Sequence, residues 1–302
     1  MHQDATRSAA AAGRYAFAAL IVSNLFLALG PWMVRLSDVG PVAAGFWRLA
    51  LAIPLLLLLA RSSAGGRLWP GWSLAAMIAI GGLFFAADLA AWHYGIVRTK
   101  LANATLFGNA SSFVFAIYGF FLVRRLPGRV QAGALVLAAV GAAMLMGSSY
   151  ELSPEHFRGD LFALLAGIFY FFYLVTVDRA RKTLAPMPVL ALATATGALP
   201  LLLFALLLGE QVMPGDWLPV ILLSLGSQVI GQGLLVYAMG HLSPVVVGLG
   251  LLTQPAVTAL VGWLAYDERF SLTDGLGALM ICAALVLIRL PERVAPEAAK
   301  DH

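Results

Sequence analysis

Apolar stretches of helical length recur along the whole chain, and short polar breaks separate them. A helix needs about 20 apolar residues to cross a bilayer core of about 30 Å. Ten stretches of about that length can be outlined, and we number them spans 1 to 10. They cover about residues 14–34, 41–60, 72–95, 101–123, 130–148, 158–178, 186–208, 217–239, 243–266 and 272–290. The pattern predicts an all-α membrane protein with ten transmembrane helices in one bundle.

Basic residues divide unequally between the two alternating sets of links. One set, with both termini, carries 13 of the 19 Lys and Arg residues, the other set carries 5, and Arg48 lies inside span 2. Because basic residues are enriched on the cytoplasmic side of membranes, both termini are predicted to be cytoplasmic. The link at 149–157 is then outside.

The two halves of the chain resemble each other at an offset of roughly 143–147 residues. Ile53-Pro54-Leu55 matches Leu199-Pro200-Leu201, and Tyr94 matches Tyr237. We therefore predict transmembrane repeat 1 at 14–148 (spans 1–5) and repeat 2 at 158–290 (spans 6–10), with polar tails at 1–13 and 291–302. Since five is odd, the two repeats are inverted in the membrane, an arrangement typical of transporters that use alternating access.

Composition excludes several classes of protein. The chain is 61% apolar and 11% charged, against about 25% charged residues in soluble domains, which disfavours a soluble enzyme or a nucleic-acid binder. Cys282 is the single cysteine and cannot pair within the chain. The histidines show no metal-ligand spacing and there is no phosphate-binding Gly-Lys-Ser/Thr loop, so we expect no cofactor and no metal. The expected partners are a small-molecule substrate and membrane lipid, with the chain a monomer or homodimer.

Polar and aromatic side chains gather near the middle of the predicted spans. Such groups lose hydrogen bonds to water in hydrocarbon, so they are expected to face one another or a wet cavity. Helix-to-helix hydrogen bonds without a ligand are the alternative explanation. The candidate substrate-binding residues are Asn24, Trp92, Asn109, Tyr170, Tyr173, Gln228, Gln232, Gln254 and Trp263.

Two charges lie at matching depth inside the predicted membrane region, Arg48 in span 2 and Asp88 in span 3. An isolated charge is costly there, so a structural ion pair is the first interpretation and a substrate or proton role for Asp88 is the alternative. His93 lies near the predicted outer end of span 3 and is interpreted as an interfacial residue. Small residues in spans 5 and 10, such as Gly141 and Gly277, predict close helix packing at the periphery or in a dimer.

Several motifs resemble the drug/metabolite transporter superfamily, specifically its EamA-type ten-helix exporters. They are Phe46-Trp47-Arg48-Leu49, the stretch 87–94 with 102–106 and Asn109, Leu251-Leu252-Thr253-Gln254-Pro255, and Asp267-Glu268-Arg269. The chain departs from the family in span 4. Ser112 stands where the family usually has a Pro, and Arg124 or Arg125 stands where it usually has a Glu at the end of that helix. The resemblance implies export of small metabolites, often amino acids.

The leading hypothesis is therefore a secondary transporter in the plasma (inner) membrane that exports small metabolites by alternating access around a central midplane cavity, with amino acids, including aromatic ones, as the expected substrates. It is not expected to be an enzyme. The alternatives are an intramembrane hydrolase, raised by Gly108-Asn109-Ala110-Ser111-Ser112, and a passive channel for small solutes.

Overall fold

A computed structural model describes residues 2–63, 71–111, 114, 128–181, 183–239, 241–242, 251, 253–269 and 271–287. Within these residues every regular element is a helix. The elements are α1 (His2–Leu36), α2 (Pro41–Ala50), α3 (Ile53–Ser63), α4 (Trp72–Ile96), α5 (Leu101–Gly108), α6 (Arg129–Leu152), α7 (Pro154–Arg181), α8 (Pro186–Leu207), α9 (Leu218–Leu222), a π-helical segment (Leu223–Gly231), α10 (Gln232–Met239), α11 (Thr253–Tyr266) and α12 (Leu272–Leu287).

Each predicted span contains at least one of these helices. Span 2 is α2 with α3, span 8 is α9 with the π-helical segment and α10, and each other span holds a single described helix, so that spans 3, 6 and 7 are α4, α7 and α8. Among the described residues, six helical stretches are long and apolar enough to cross a membrane: 15–36, 41–63, 72–96, 154–181, 186–207 and 218–239. The chain is therefore a nearly all-helical, multi-pass membrane protein. The count of ten and the division into two repeats stay predictions, because spans 4, 9 and 10 extend beyond the described residues.

Helices from the first half pack mainly on helices from the second half. Span 1 (α1) packs on span 8, span 2 on span 7, span 3 (α4) on span 6 (α7), span 4 (α5) on span 9 (α11), and span 5 (α6) on span 10 (α12). The last pairing explains the small residues of α6 and α12, since a side chain at Gly141 would collide with the backbone of Gly277. The core thus lies between the two halves rather than within either one.

Several further helix contacts depend on glycine. A Cβ added at Gly82 of α4 would lie 2.7 Å from the carbonyl oxygen of Ala193 in α8, and one at Gly167 of α7 would lie 2.8 Å from the carbonyl oxygen of Gly108. Helices inside a membrane gain little from the hydrophobic effect and associate through such close packing. These glycines let α4 and α5 approach the second half closely enough to bring their polar side chains together.

We predict that Gly82→Ala destabilises the protein by about 1–3 kcal/mol, because the new methyl group would force α4 away from α8. Gly133→Ala is the matched control, since a Cβ at Gly133 would meet no atom within 4 Å. Thermal unfolding of the purified protein in detergent measures both variants. Equal melting temperatures for the two would contradict this account of the α4–α8 contact.

Candidate functional site

A cavity of about 60 Å³ lies between the two halves. One water needs about 10–15 Å³ by this measure, so the cavity has room for several waters or for part of a small solute. Spans 1 to 4 contribute to its wall from the first half, and Tyr170, Gln232, Leu251 and Gln254 contribute from the second. Leu27, Phe85 and Leu89 form the apolar part of the wall on the first half. Both polar and aromatic groups therefore face one shared space.

Arg48 provides the positive charge of the cavity. It lies in the last turn of α2 and is only 2% exposed. Its Nε donates a hydrogen bond to Oε1 of Gln228 at 3.1 Å, and Gln228 in turn donates through Nε2 to the hydroxyl oxygen of Thr194 at 3.0 Å. Its Nη1 has no hydrogen-bond partner among the described residues. The guanidinium is thus held from one side and keeps free donor capacity on the other.

Asp88 provides the carboxyl group of the same cavity. It lies on α4 and is 7% exposed. Among the described residues, its carboxylate accepts no hydrogen bond and joins no salt bridge. The direct ion pair expected between Arg48 and Asp88 is therefore not formed, because the guanidinium is turned toward Gln228 and lies 5.9 Å from the ring centroid of Trp92.

Amide groups lie beside these charges. Gln254 donates a hydrogen bond through Nε2 to Oδ1 of Asn24 at 3.0 Å, so Asn24 stands directly behind a cavity-lining residue. Gln232 Nε2 and the Tyr170 hydroxyl oxygen are 3.5 Å apart, at the long limit for a hydrogen bond. The Nδ2 atoms of Asn24 and of Asn109, which also lines the cavity, have no hydrogen-bond partner in the part of the chain that the structure describes. Polar capacity therefore remains unused around the cavity.

Trp92 is the principal aromatic residue of the wall. It follows Asp88 by four positions on α4, so the two side chains share one face of the helix. Its Nε1 donates to the carbonyl oxygen of Ala104 at 3.2 Å, and the absence of a side chain at Gly108 gives the indole room. The indole face is thereby fixed beside the space that Arg48 and Asp88 share.

Helix irregularities lie next to the cavity residues. The helical chain of span 2 is interrupted at Leu51–Ala52, three residues after Arg48, and Gln228 lies in the π-helical segment of span 8. In span 4, α5 ends at Gly108, immediately before Asn109. Discontinuous helices are typical of the substrate sites of membrane transporters. π-Helical turns are frequent at functional sites in proteins generally.

Five predicted site residues line the cavity, namely Trp92, Asn109, Tyr170, Gln232 and Gln254. Two more, Asn24 and Gln228, lie directly behind the wall. Tyr173 is buried and stacks on Phe85, with ring centroids 4.5 Å apart, so it supports the wall. Trp263 is placed away from the cavity, with 57% of its surface exposed on α11. Depth along a helix does not fix rotation about its axis, which is why Trp263 and Tyr173 do not line the cavity as the sequence predicts.

His93 corrects another expectation. It is fully buried, and its Nδ1 lies 3.0 Å from the carbonyl oxygen of Pro41. A Cβ added at Gly45 would touch its ring, so the imidazole fills the contact between α2 and α4. The interfacial interpretation of His93 is therefore wrong.

A second polar group of residues, which we call the outer cluster, joins the helix ends on the predicted outer side. At its centre, Arg35 of α1 forms a salt bridge of 2.5 Å with Glu268, and it also donates to the carbonyl oxygens of Ile96 and Thr99. Glu268 accepts a further hydrogen bond of 2.9 Å from the backbone N–H of Leu101 at the start of α5. One ion pair thus links spans 1, 3, 4 and 9.

Further contacts extend the outer cluster. Lys100 forms a salt bridge of 2.6 Å with Asp274 of α12, and Thr99 donates to Asp160 of α7 at 2.5 Å. Glu210 accepts from the backbone N–H of Ala43 at 2.8 Å, which satisfies the start of α2. The two halves are thereby tied together at this end. The sequence pattern does not predict this role for Arg35 and Glu268, and the Asp267-Glu268-Arg269 motif is its only signal.

Comparisons with known proteins agree with this architecture. Residues 157–290 match the EamA-like transporter family. A WAT1-related chloroplastic protein of Arabidopsis thaliana is 25% identical over 90% of this chain and 69% of its own length. An uncharacterized transporter of Archaeoglobus fulgidus is 25% identical over 91% of this chain and 96% of its own. The resemblance to EamA-type members of the drug/metabolite transporter superfamily is confirmed.

The fold itself also has a solved counterpart. A crystal structure of a protein superposes with a TM-score of 0.61 at 20% identity, and the match covers 96% of this chain and 99% of the other. At that identity the likeness concerns the fold alone.

The network behind Arg48 gives a testable prediction. Gln228→Leu removes the acceptor of Arg48 Nε inside the protein and should destabilise it by about 1–3 kcal/mol. Thr194→Val removes only a neutral hydrogen bond and should cost about 0.6 kcal/mol. Gln228→Glu, the matched control, keeps an acceptor and adds a counter-charge, so its thermal unfolding temperature should stay close to that of the unchanged protein. Equal unfolding temperatures for the Leu and Glu variants would refute this role of Gln228.

Proposed function

We propose, from its relation to the EamA-like transporters, that this chain is a secondary transporter that exports small metabolites through the plasma membrane by alternating access. The proposed substrates are amino acids, including aromatic ones. The observation that carries the proposal is the cavity between the two halves, where Arg48, Asp88, Trp92 and Tyr170 face one space. A membrane protein has little structural reason to bury two unpaired opposite charges beside aromatic rings.

The pattern of helix packing supports two equivalent halves. In the predicted repeats, span 1 corresponds to span 6, span 2 to span 7, and so on to spans 5 and 10. If every span is replaced by its counterpart, the contact of span 1 with span 8 becomes the contact of span 6 with span 3, and both contacts are present. The pairings 2–7, 4–9 and 5–10 are unchanged by the same exchange, and all three are present. This is the pattern that a two-fold axis relating inverted repeats would produce, and such repeats can adopt two states of similar energy.

The outer cluster supports an alternating mechanism. Its ion pairs and hydrogen bonds tie helix ends from both halves together at the predicted outer side. In the proposed mechanism, a solute that leaves outward requires these contacts to separate. Arg35 and Glu268 connect helix ends from both halves, and breaking their contacts would free those ends together. In the proposed cycle the outer cluster is the outer gate.

The wall of the cavity favours amino acids with apolar or aromatic side chains. Trp92 and Tyr170 offer flat π-surfaces with a polar edge, which suits aromatic and aliphatic groups. Amides from Gln232 and Gln254 provide neutral hydrogen-bonding groups nearby. The excess of basic residues on one set of links is typical of insertion with that set in the cytoplasm, as expected in a plasma membrane.

Transport by the purified protein in sealed liposomes tests the proposal. We expect saturable flux of a labelled aromatic amino acid that unlabelled solute inhibits. Tyr170→Ala and Gln254→Ala should each lower that flux about tenfold, because they remove cavity-lining groups. Trp263→Ala is the matched control and should transport normally, since its side chain is exposed away from the cavity. Non-saturating flux would indicate a channel, and chemical conversion of the solute would indicate a hydrolase.

Loosening the outer cluster should open the cavity outward. In a Cys282→Ser background, a cysteine at cavity residue Leu251 reports access of a membrane-impermeant maleimide from outside. Glu268→Gln should raise its labelling rate several-fold, because the ion pair with Arg35 is lost. Asp267→Asn is the control, as its pair with Arg269 is exposed and weak. Unchanged labelling in Glu268→Gln would remove the outer cluster from the gate.

A further inference from the structure

We infer that Arg48 and Asp88 bind the two opposite ends of a zwitterionic solute, Arg48 its carboxylate and Asp88 its ammonium group. The inference rests on the proposed function and adds to it the recognition of the substrate's head group. Both residues line one cavity and are almost completely buried, and neither is paired with the other.

Arg48 is arranged to receive a carboxylate. Gln228 holds the guanidinium through Nε, and the chain Arg48–Gln228–Thr194 fixes its position. No described residue accepts a hydrogen bond from its Nη1 group, although Arg48 is buried. A guanidinium presents parallel N–H donors that match the two oxygens of a carboxylate. A carboxylate in the cavity would therefore satisfy a donor that the protein leaves unsatisfied.

Asp88 is arranged to receive an ammonium group. Its carboxylate faces the cavity, and no hydrogen-bond donor or cation contacts it among the described residues. An ammonium group brings three donors and a positive charge. Because removal of one partner from a buried ion pair is strongly destabilising, a buried carboxylate with no partner is a site that a cationic group would stabilise.

The two charges together select a zwitterion over an ion. The cavity holds one positive and one negative group, so a ligand with one charge of each sign leaves the sum unchanged and pairs both. A simple anion would pair Arg48 and leave Asp88 without a counter-charge, and a simple cation would do the reverse. Each ion would also add net charge to the membrane interior, which is costly. Trp92 lies four residues after Asp88 on the same helix face, so it is placed to contact the side chain of a zwitterionic ligand bound between the two charges.

A ligand series tests the inference on the unchanged protein. The probes are phenylalanine, phenylalaninamide, which lacks the carboxylate, and 3-phenylpropionate, which lacks the ammonium group; leucine serves as a second zwitterion. Calorimetric titration of the purified full chain in detergent should show phenylalanine or leucine binding, with each analogue at least tenfold weaker than phenylalanine. Binding of either analogue within about twofold of phenylalanine, or no binding of either zwitterion, would overturn the inference.

Two variants assign the ends of the ligand. Arg48→Gln should weaken phenylalanine at least tenfold and leave phenylalaninamide unchanged, whereas Asp88→Asn should weaken phenylalanine and leave 3-phenylpropionate unchanged. Arg98→Gln and Asp216→Asn remove the same charges outside the cavity and should leave all affinities unchanged. An equal loss for all three ligands in both variants would overturn the assignment, and if a variant does not fold, the ligand series on the unchanged protein still decides.

Binding and flux separate this inference from the proposed function. Selective zwitterion binding without flux in liposomes would support the two-charge site and reject the transporter. Saturable flux with no preference for zwitterions would support the transporter and reject the two-charge site.

Discussion

The buried charge of Arg48 is the constraint that orders the centre of this protein. The hydrocarbon of a bilayer cannot solvate a guanidinium, so the surrounding helices must provide partners for it. Gln228 supplies one acceptor from the π-helical segment of span 8, and Thr194 of α8 holds Gln228 in turn. Trp92 supplies an aromatic face. Helices from both halves are thereby fixed around one side chain. These contacts cover only part of the Arg48 guanidinium, and the cavity lies against the remaining part.

Polar side chains of the outer cluster and those around the cavity differ in how many hydrogen-bond partners they have. This difference fits different roles for the two groups. In the outer cluster, the carboxylate of Glu268 meets both a guanidinium and a backbone N–H, and Lys100 meets Asp274. Such charge-assisted hydrogen bonds contribute about 1.5–3 kcal/mol each and favour closure at that end. Around the cavity, donors on Arg48, Asn24 and Asn109 lack hydrogen-bond partners within the described ranges of the chain. Unsatisfied donors destabilise an empty cavity and favour whatever ligand can accept from them.

The sequence predicts the helices well because the bilayer imposes a simple rule: every crossing must be apolar and hydrogen-bonded within itself. It also predicts most of the cavity, because polar side chains such as Gln254 and Tyr170 have few places to go at that depth. What it cannot supply is rotation about each helix axis. Trp263 lies at a suitable depth but points away from the cavity, and His93 is buried between α2 and α4. The Arg35–Glu268 pair was missed because loop charges carry information on orientation and not on pairing.

Alternating access requires the two states to have similar free energies, which constrains what the outer cluster can contribute. A ligand that binds both states equally shifts neither, and moving a population from 1:99 to 99:1 takes about 5.5 kcal/mol of differential binding. The contacts of Arg35 and Glu268, both partly exposed at 14% and 12%, are of a strength that a few new contacts elsewhere could replace. Arg48 and Asp88, which are proposed to bind the charged groups of the ligand, do not belong to the outer cluster. In the proposed cycle they would contact the ligand in both states. The preference between states must then come from the helix ends, so contacts of comparable strength must form at the cytoplasmic end when the outer cluster separates.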